Sequence, residues 1–250
     1  AEPQIDRAEE LRKEWKVESG QLWVLGDHRL LCGDSTNVDD YGRLFAKGVA
    51  PKLVFTDPPY GIAYKAMRGG TAIANDGNLE TAANVVRDAL ALTVEAESHF
   101  LCCDWRSMPM MLATMTDAGL EPKACVVWDK VRGVQNLDRF HKQHELILYA
   151  GPYGGEKTVC GDVWAHARDF DPDHPTPNPV PLVAQAIEAT TNRGETVYDA
   201  FLGSGATLIA CEQLGRKCRA IEISPGYVAV ALQRFKDATG KTPTLEGSGS

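Results

Sequence analysis

Residues 196–222 of the 250-residue chain read TVYDAFLGSGATLIACEQLGRKCRAIE, and this stretch decides the fold. Its first five residues are largely apolar and lead into Gly203 and Gly205, after which Thr207–Leu214 has the composition of a helix. A second apolar run follows and ends at Glu222. Glycines let a backbone turn tightly and approach a ligand closely beside a helix N-terminus. The pattern predicts a strand, a ligand-binding turn, a helix and a further strand whose terminal acid suits the two hydroxyls of a ribose.

The glycine spacing separates this turn from the one that binds nicotinamide dinucleotides. Those turns carry a third glycine five residues after the position matched by Gly203, and Leu208 stands there instead. A nicotinamide oxidoreductase built on the same sheet is therefore an alternative that the spacing disfavours. A shared fold alone would not decide between the two functions.

Apolar runs and helical stretches alternate along most of the chain. Several runs, such as Leu53-Val54-Phe55, are apolar throughout, as expected of strands covered on both faces. The alternation predicts an α/β fold with a doubly wound, mostly parallel, seven-stranded sheet that binds ligands beyond the carboxyl ends of its strands, near a topological switch point. The predicted strands are Arg29–Cys32, Lys52–Thr56, His99–Cys102, Ala124–Trp128, Glu145–Tyr149, Thr196–Ala200 and Lys217–Ile221. The predicted helices are Val38–Ala46, Leu79–Glu95, Ser107–Ala118, Pro181–Thr190, Thr207–Leu214 and Pro225–Ala238.

Before the first of these strands, residues 6–17 predict a charged helix, interpreted as solvated or as a linker on the surface. Residues 21–32 predict a short hairpin around Gly26.

A second motif, Asp57-Pro58-Pro59-Tyr60, follows the predicted strand Lys52–Thr56. Consecutive prolines fix φ and cannot extend a sheet, so they form a rigid turn that aims its neighbours. The Asp57 carboxylate and the Pro58 carbonyl are two acceptors for the two N–H donors of an exocyclic amine, whose lone pair would then stay exposed to an electrophile. Tyr60 supplies a ring for stacking on a base taken out of a duplex. The motif indicates chemistry on an amino group of a nucleobase.

Charge is unevenly distributed along the chain. The formal net charge is −8, which weighs mildly against nucleic-acid binding because basic footprints are the usual signature of such binding. Basic residues nevertheless collect in two places, one just after the second motif and one in a stretch over residues 130–142 that we interpret as a loop. The predicted DNA contacts are Lys65, Arg68, Lys130, Arg132, Arg139 and Lys142.

The seven cysteines show no repeated spacing, and several stand in apolar runs. We interpret them as buried thiols, which predicts a reducing compartment, the cytoplasm. His141 and His144 lack further ligands, so no metal site is predicted. No apolar run approaches the length of about 18 residues that would predict a membrane span.

Together the motifs resemble amino-group DNA methyltransferases, in particular the circularly permuted subgroup called the beta class. Asp57-Pro58-Pro59-Tyr60 resembles the catalytic motif of that subgroup, and residues 199–205 resemble its cofactor motif, in the order that the subgroup shows. Three further segments resemble the part that binds the cofactor's adenine, a late motif of the catalytic half and the part that lines the methionine end: Cys32-Gly33-Asp34-Ser35, His144-Glu145 and His174-Pro175-Thr176-Pro177-Asn178-Pro179. Residues 8–34 also resemble phage-type methylases that follow a ParB-like domain.

The resemblance implies a Rossmann-like, S-adenosylmethionine-dependent enzyme that methylates N6 of adenine by direct displacement on a flipped base. The implied substrate is double-stranded DNA, with single-stranded DNA as a second form. Glu222 would hold the ribose of the cofactor and Asp34 its adenine. The implied catalytic residues are Asp57, Pro58, Pro59 and Tyr60, and the implied cofactor-binding residues are Asp34, Asp57, Asn178, Asp199, Phe201, Gly203, Ser204, Gly205, Thr207 and Glu222. Family members usually carry Lys where Asn178 stands.

The expected domain organisation is a helix or linker over residues 1–20, a methyltransferase domain over 21–240 and a tail over 241–250 that ends in an added Gly-Ser linker. Within the domain we expect a catalytic half over 29–150, a recognition loop over 150–173 and a cofactor half over 174–238. Because that loop is short, we predict a relaxed or very short recognition site. The resemblance further implies a homodimer, in a restriction–modification or phage setting.

Three other functions stay open. The enzyme could methylate N4 of cytosine, although such members more often have Ser at the position of Asp57. It could act on RNA or on protein glutamine, although those relatives tend to have Asn there and the unpermuted order. It could be a non-catalytic cofactor- or DNA-binding subunit, against which the intact motifs at both strand ends argue.

Overall fold

The computed structural model describes residues 1–45, 49–61, 77–134, 140–152, 160–167 and 178–247, with the backbone alone for 132–134. In these ranges the helices are α1 (Ala8–Trp15), α2 (Val38–Leu44), α3 (Leu79–Ala91), α4 (Met108–Asp117), α5 (Val180–Thr190), α6 (Ala206–Leu214) and α7 (Pro225–Thr239). The strands are β1 (Leu22–Leu25), β2 (His28–Cys32), β3 (Leu53–Thr56), β4 (Ser98–Cys103), β5 (Ala124–Val134), β6 (Lys142–Ala150), β7 (Val163–Ala165), β8 (Thr196–Asp199), β9 (Lys217–Glu222) and β10 (Thr244–Leu245).

All the strands of the described ranges join one mixed sheet in the order β10-β1-β2-β9-β8-β3-β4-β6-β5-β7. The five central strands, β2-β9-β8-β3-β4, are parallel. On one side β1 and β10 are antiparallel to their neighbours, and on the other side β6 runs antiparallel to both β4 and β5. The prediction of seven strands is wrong. The hairpin predicted over residues 21–32 supplies β1 beside β2, and β7 and β10 add edge strands of three and two residues that carry little sequence pattern of their own.

Helices cover both faces of the sheet, which confirms the doubly wound arrangement. One face packs against α1, α5, α6 and α7 around a core that includes Leu53 and Phe55. The other face packs against α2, α3 and α4, with Val54 beneath them. Successive side chains of a strand point to opposite faces, so an unbroken apolar run is needed to fill both layers.

Two predicted boundaries differ from the structure. Helix α3 ends at Ala91 rather than Glu95, since the chain turns there through Thr93, whose hydroxyl donates to the Leu90 carbonyl at 2.8 Å. Strands β5 and β6 extend to Val134 and back to Lys142, so much of the predicted loop over residues 130–142 belongs to a hairpin.

The charged N-terminal helix is not a solvated linker. Leu11 and Val17 are each 1% exposed in the main core, and the Trp15 indole N–H donates to Gln233 of α7 at 3.1 Å. Trp15 also meets Trp23 of β1 edge to face, with ring centroids 6.0 Å apart. Helix α1 therefore covers α7, which lies beneath the turn that follows β8.

Five of the seven cysteines are buried, while Cys125 is half-buried and Cys160 is exposed. Within the described ranges, no helix combines the length and the apolar composition that crossing a membrane requires.

Candidate active site

The two motifs meet where the order of the parallel strands in the sheet reverses. Strands β3 and β8 are parallel neighbours, with Leu53 beside Val197 and Val54 beside Tyr198. From β8 the chain continues to β9 on one side, and from β3 it continues to β4 on the other. Such a switch point leaves a crevice at the carboxyl ends of the two strands, which is where ligands bind in open α/β sheets. The residues after β3 and after β8 are those of the two predicted motifs.

The turn after β8 depends on two glycines with positive φ. Gly203 has φ of 55° and Gly205 has φ of 90°, and α6 begins directly afterwards. A Cβ on Gly205 would lie 3.2 Å from the Cβ of Ala231, so this glycine lets α7 pack closely beneath the turn. A Cβ on Gly203 would meet nothing within 4 Å, which leaves room above the turn for a ligand.

The Ser204 side chain supports a ligand at this turn. It is 5% exposed, and its hydroxyl has no hydrogen-bond partner within the part of the chain that the structure describes. Arg234 of α7 donates to the Ser204 carbonyl at 3.2 Å and fixes the turn from below. A buried hydroxyl without a partner is costly in an empty protein, so it suits a site whose ligand supplies the partner.

Glu222 lies at the end of β9, as the sequence predicts. Its carboxylate is 8% exposed and accepts from the backbone N–H groups of Gly203 and Ser224, each at 2.8 Å. Burial raises the pKa of Glu222 to about 6, although the hydrogen bonds from both N–H groups lower it. Asp34 follows the adjacent strand β2 and is exposed, with its carboxylate bound to Thr36. The fold thus brings the two acids to neighbouring strand ends, an arrangement suited to the ribose and the base of one nucleoside.

Asp199 turns inward and joins the two motifs. Its carboxylate accepts from Thr56 at 2.9 Å, from Thr207 at 2.6 Å and from the Phe201 N–H at 3.1 Å. Thr56 immediately precedes Asp57, and Thr207 lies in the first turn of α6. Burial raises the pKa of Asp199 to about 6 against these three hydrogen bonds. The carboxylate and the Thr207 hydroxyl, both implied to bind cofactor, here hold the two loops in register.

Asp57 is exposed at the mouth of the crevice, while Pro58 and Pro59 are buried beneath it. The Asn178 side-chain amide donates to its carboxylate at 3.0 Å, and the Tyr60 hydroxyl donates to the other carboxylate oxygen. Burial and the Asp57 charge raise the pKa of the Tyr60 phenol well above its usual value, so the phenol keeps its proton as a donor. Asn178 is 8% exposed and also lies 3.8 Å from the Cys102 sulfur at the end of β4. Asn178, where the resemblance leads one to expect Lys, therefore fixes the Asp57 carboxylate.

The wall beyond Tyr60 carries a series of linked ion pairs that the sequence interpretation missed. Lys130 is 3% exposed, and its ammonium lies 2.5 Å from Glu145, which is 8% exposed. Lys142 lies 3.7 Å from Glu145 and 2.5 Å from Asp104, which is fully buried. Glu145 acts electrostatically on both Tyr60 and Cys102, so this charge lies near the Asp57-Pro58-Pro59-Tyr60 segment.

Lys130 is consequently not exposed to DNA phosphates, and its predicted role as a DNA contact needs correction. It lies on the inward face of β5 together with Val126 and Trp128, whose ring it approaches to 5.2 Å. The alternation Val126, Trp128, Lys130 is a period-two signal for an inward-facing residue that the sequence already contained. Lys65, Arg68 and Arg139 lie outside the described residues, as does the Arg132 side chain.

Comparisons with known proteins point to one family. Residues 153–233 match the family described as DNA methylase. The type II methyltransferase M.Cfr9I of Citrobacter freundii is 35% identical over 245 residues, which cover 88% of this chain and 80% of that protein. The DNA adenine methyltransferase YhdJ of Escherichia coli K12 is 37% identical over 93 residues, which cover 35% of this chain and 31% of that protein.

Solved structures share the fold at lower identity. The M1.HpyAVI–SAM complex superposes with a TM-score of 0.62 at 20% identity, over 82% of this chain and 97% of that one. The PvuII DNA methyltransferase, named as cytosine-N4-specific, gives a TM-score of 0.61 at 15% identity, over 94% of this chain and 92% of that one. With the extended match to M.Cfr9I, these findings show that the chain belongs to the N6/N4 family of DNA methyltransferases, whose methyl donor is S-adenosylmethionine.

Proposed function

We propose that this protein methylates N6 of adenine in DNA. The observation that supports it most is the Asp57 carboxylate, exposed at the switch point, held by Tyr60 and Asn178, and joined through Thr56 and Asp199 to the turn after β8. Asp at this position favours adenine over cytosine by the resemblance to the family. The PvuII enzyme shares the fold, so N4 of cytosine is the competing product that the experiment must separate.

The residues at the carboxyl ends of β2, β8 and β9 fit S-adenosylmethionine. Glu222 would accept from the ribose hydroxyls, Asp34 from the adenine amine, and the Ser204 hydroxyl would find its partner on the bound molecule. When bound, the cofactor supplies an electrophilic methyl group on a sulfonium. Gly203 provides the open space next to it, and Arg234 keeps the turn in place from the side of α7.

The residues at the end of β3 would position the target amine. A carboxylate has about four acceptor sites, so its bonds to Tyr60 and Asn178 do not use up the capacity of Asp57. With the Pro58 carbonyl as the second acceptor, both N–H bonds of the amine are held and its lone pair points out of their plane. The bound donor would supply its methyl group to this lone pair, with the sulfur as the leaving group. The Asp57 carboxylate would then accept the proton that the methylated nitrogen loses.

No covalent bond to the enzyme is needed, so catalysis comes from positioning and from electrostatic stabilisation of the charge that develops on the amine. The Tyr60 ring, which packs against the apolar core beneath α3 and α4, would stack on the base after it leaves the duplex. Desolvation of the Cys102 thiol raises its pKa well above the usual value, which leaves it uncharged beside Asp57 and unsuited to act as a nucleophile.

The test is incubation of unmethylated plasmid with the protein and S-adenosylmethionine, followed by mass spectrometry of the nucleosides. We expect N6-methyladenine, and a fall of about 10²–10³-fold in rate for Asp57→Ala. Asp117→Asn, a change of an exposed acid at the end of α4, is the control and should retain activity. N4-methylcytosine would overturn the base assignment, and a rate for Asp57→Ala within threefold of the wild type would remove Asp57 from the mechanism.

The recognition site would be relaxed or very short, because the segment between β6 and α5, residues 151–179, leaves little room for a separate target-recognition domain. Sequencing the same plasmid after partial methylation would show modified adenines in many contexts. Modification confined to one six-base sequence would contradict this part of the proposal.

A further inference from the structure

The carboxyl end of β4 and the start of β6 together expose two large aromatic side chains. Trp105, directly after β4, is 64% exposed, and Phe140, just before β6, is 81% exposed. Of the five tryptophans, three are buried and Trp15 is half-buried, so Trp105 is the exception. Exposed aromatic surface next to a crevice usually marks an interaction site.

One buried carboxylate places the two segments side by side. Asp104 accepts from the Arg106 Nε at 2.8 Å and lies 2.5 Å from the Lys142 ammonium. Burial alone would raise the pKa of Asp104, but the hydrogen bonds from Arg106 and Lys142 hold it well below its usual value. Trp105 stands between Asp104 and Arg106, and Phe140 lies two positions before Lys142, a span of about 7 Å of chain at most. Trp105 and Phe140 therefore belong to two segments that the ion pairs of Asp104 hold together.

The cations of this surface remain accessible. The Arg106 side chain is 52% exposed and that of Lys142 is 36% exposed, while their shared partner Asp104 is fully buried. The surface thus presents two aromatic rings and two basic heads, although the chain as a whole has a net charge of −8. We call Trp105, Arg106, Phe140 and Lys142 the aromatic–basic patch.

We propose that the aromatic–basic patch binds the unpaired nucleotides that flank the target base. Stacking on aromatic rings combined with cations along the backbone is how proteins hold single-stranded nucleic acid without reading its sequence. Lys142 also lies 3.7 Å from Glu145, the charge beside Tyr60, so the patch continues from the expected base-binding crevice. This inference rests on the proposed function and names the surface that would receive the opened strand. It also fits a relaxed site, since stacking tolerates every base.

The test uses a fluorescein-labelled single-stranded DNA of mixed sequence and a duplex of the same sequence, with binding followed by anisotropy over a salt series. Trp105→Ala and Phe140→Ala should each weaken binding of the single strand by about 5- to 100-fold, which is the range for loss of one stacking contact. The slope of log affinity against log salt should stay unchanged in both variants. Arg106→Gln should instead reduce that slope by about 0.7.

Trp105→Phe keeps a stacking ring and should restore most of the affinity. Val94→Ala, at an exposed apolar residue beyond α3, is the control that should bind like the wild type. Because Trp105 is the exposed tryptophan, its fluorescence should be quenched when DNA binds the wild type, and this quenching should disappear in Trp105→Phe.

The outcomes separate this inference from the proposed function. Wild-type affinity in both alanine variants, from a protein that methylates DNA, would overturn the patch while leaving the methyltransferase in place. A dimer of the wild type that Phe140→Ala dissociates, with DNA binding unchanged, would show that the surface binds a second copy and would also overturn it. Failure of the wild type to methylate or to bind DNA would instead overturn the proposed function.

Discussion

The two sides of the switch point are built in different ways. On the side of β8 and β9, the Glu222 carboxylate implied to hold the cofactor is fixed by backbone N–H groups, those of Gly203 and Ser224. On the side of β4, β5 and β6, the wall of the crevice depends on side-chain charges that pair with one another, Lys130 with Glu145 and Lys142 with Asp104. The comparison teaches that the cofactor half is held by backbone groups, whereas the target half depends on the pairing of side-chain charges. Three substitutions test this difference, starting with the largest expected effect.

Lys130→Met tests how strongly the target half depends on its buried charges. The change leaves the Glu145 carboxylate buried without its closest cation, which should lower the free energy of unfolding by about 3–5 kcal/mol. The value should lie toward the lower end, because the Lys142 ammonium is 3.7 Å from Glu145 and compensates in part. Urea unfolding followed by circular dichroism measures the loss.

The double variant Lys130→Met with Glu145→Leu is the matched control for that prediction. Removing both charges together should recover most of the stability, since a buried ion pair replaced by apolar groups of similar size is often neutral. A single variant as stable as the wild type, or a double variant as unstable as the single one, would contradict the picture of a coupled buried pair.

Asp199→Asn tests the link between the two halves through its pH dependence. The pKa of Asp199 is about 6 in the folded protein and about 4 when unfolded, so the native state binds the extra proton between these values. The contribution of this group to stability is therefore greatest below about pH 4 and is lost as pH rises to about 6. Relative to Asp199→Asn, the wild type should lose up to about 3 kcal/mol over this range.

Urea unfolding at four pH values from 4 to 7 would measure that difference. Asp117→Asn, at the exposed end of α4, is the control and should track the wild type throughout. Parallel pH profiles for the wild type and Asp199→Asn would show that the carboxyl titrates normally and would contradict the prediction.

Glu222→Gln tests the half held by backbone groups and should have the smallest effect on the fold. The amide oxygen can still accept from one of the Gly203 and Ser224 N–H groups but not from both, so the free energy of unfolding should fall by about 1 kcal/mol. Loss of the charged acceptor should weaken S-adenosylmethionine binding by about 10- to 100-fold, as for other hydrogen bonds to charged groups. Isothermal titration calorimetry gives the affinity, and an unchanged value would exclude Glu222 from the ribose site.

Much of the fold could be predicted because the central strands are apolar throughout. A run such as Leu53-Val54-Phe55 has no polar face to leave in water, so a sheet covered on both sides is the arrangement that can bury it. The edge strands β7 and β10 were missed because two or three paired residues leave no periodic signal.

The sequence by itself determined the order of strands and helices, the two loops that follow β3 and β8, and the residue types that these loops present. Only the tertiary structure decided what those residues bind: that Asp199 faces Thr56, that Asn178 reaches Asp57, and that Lys130 points inward. Backbone conformation and apolar periodicity are local properties that a few neighbouring residues specify. The partner of a buried charge is set by which strands lie side by side, and that emerges only when the whole sheet packs.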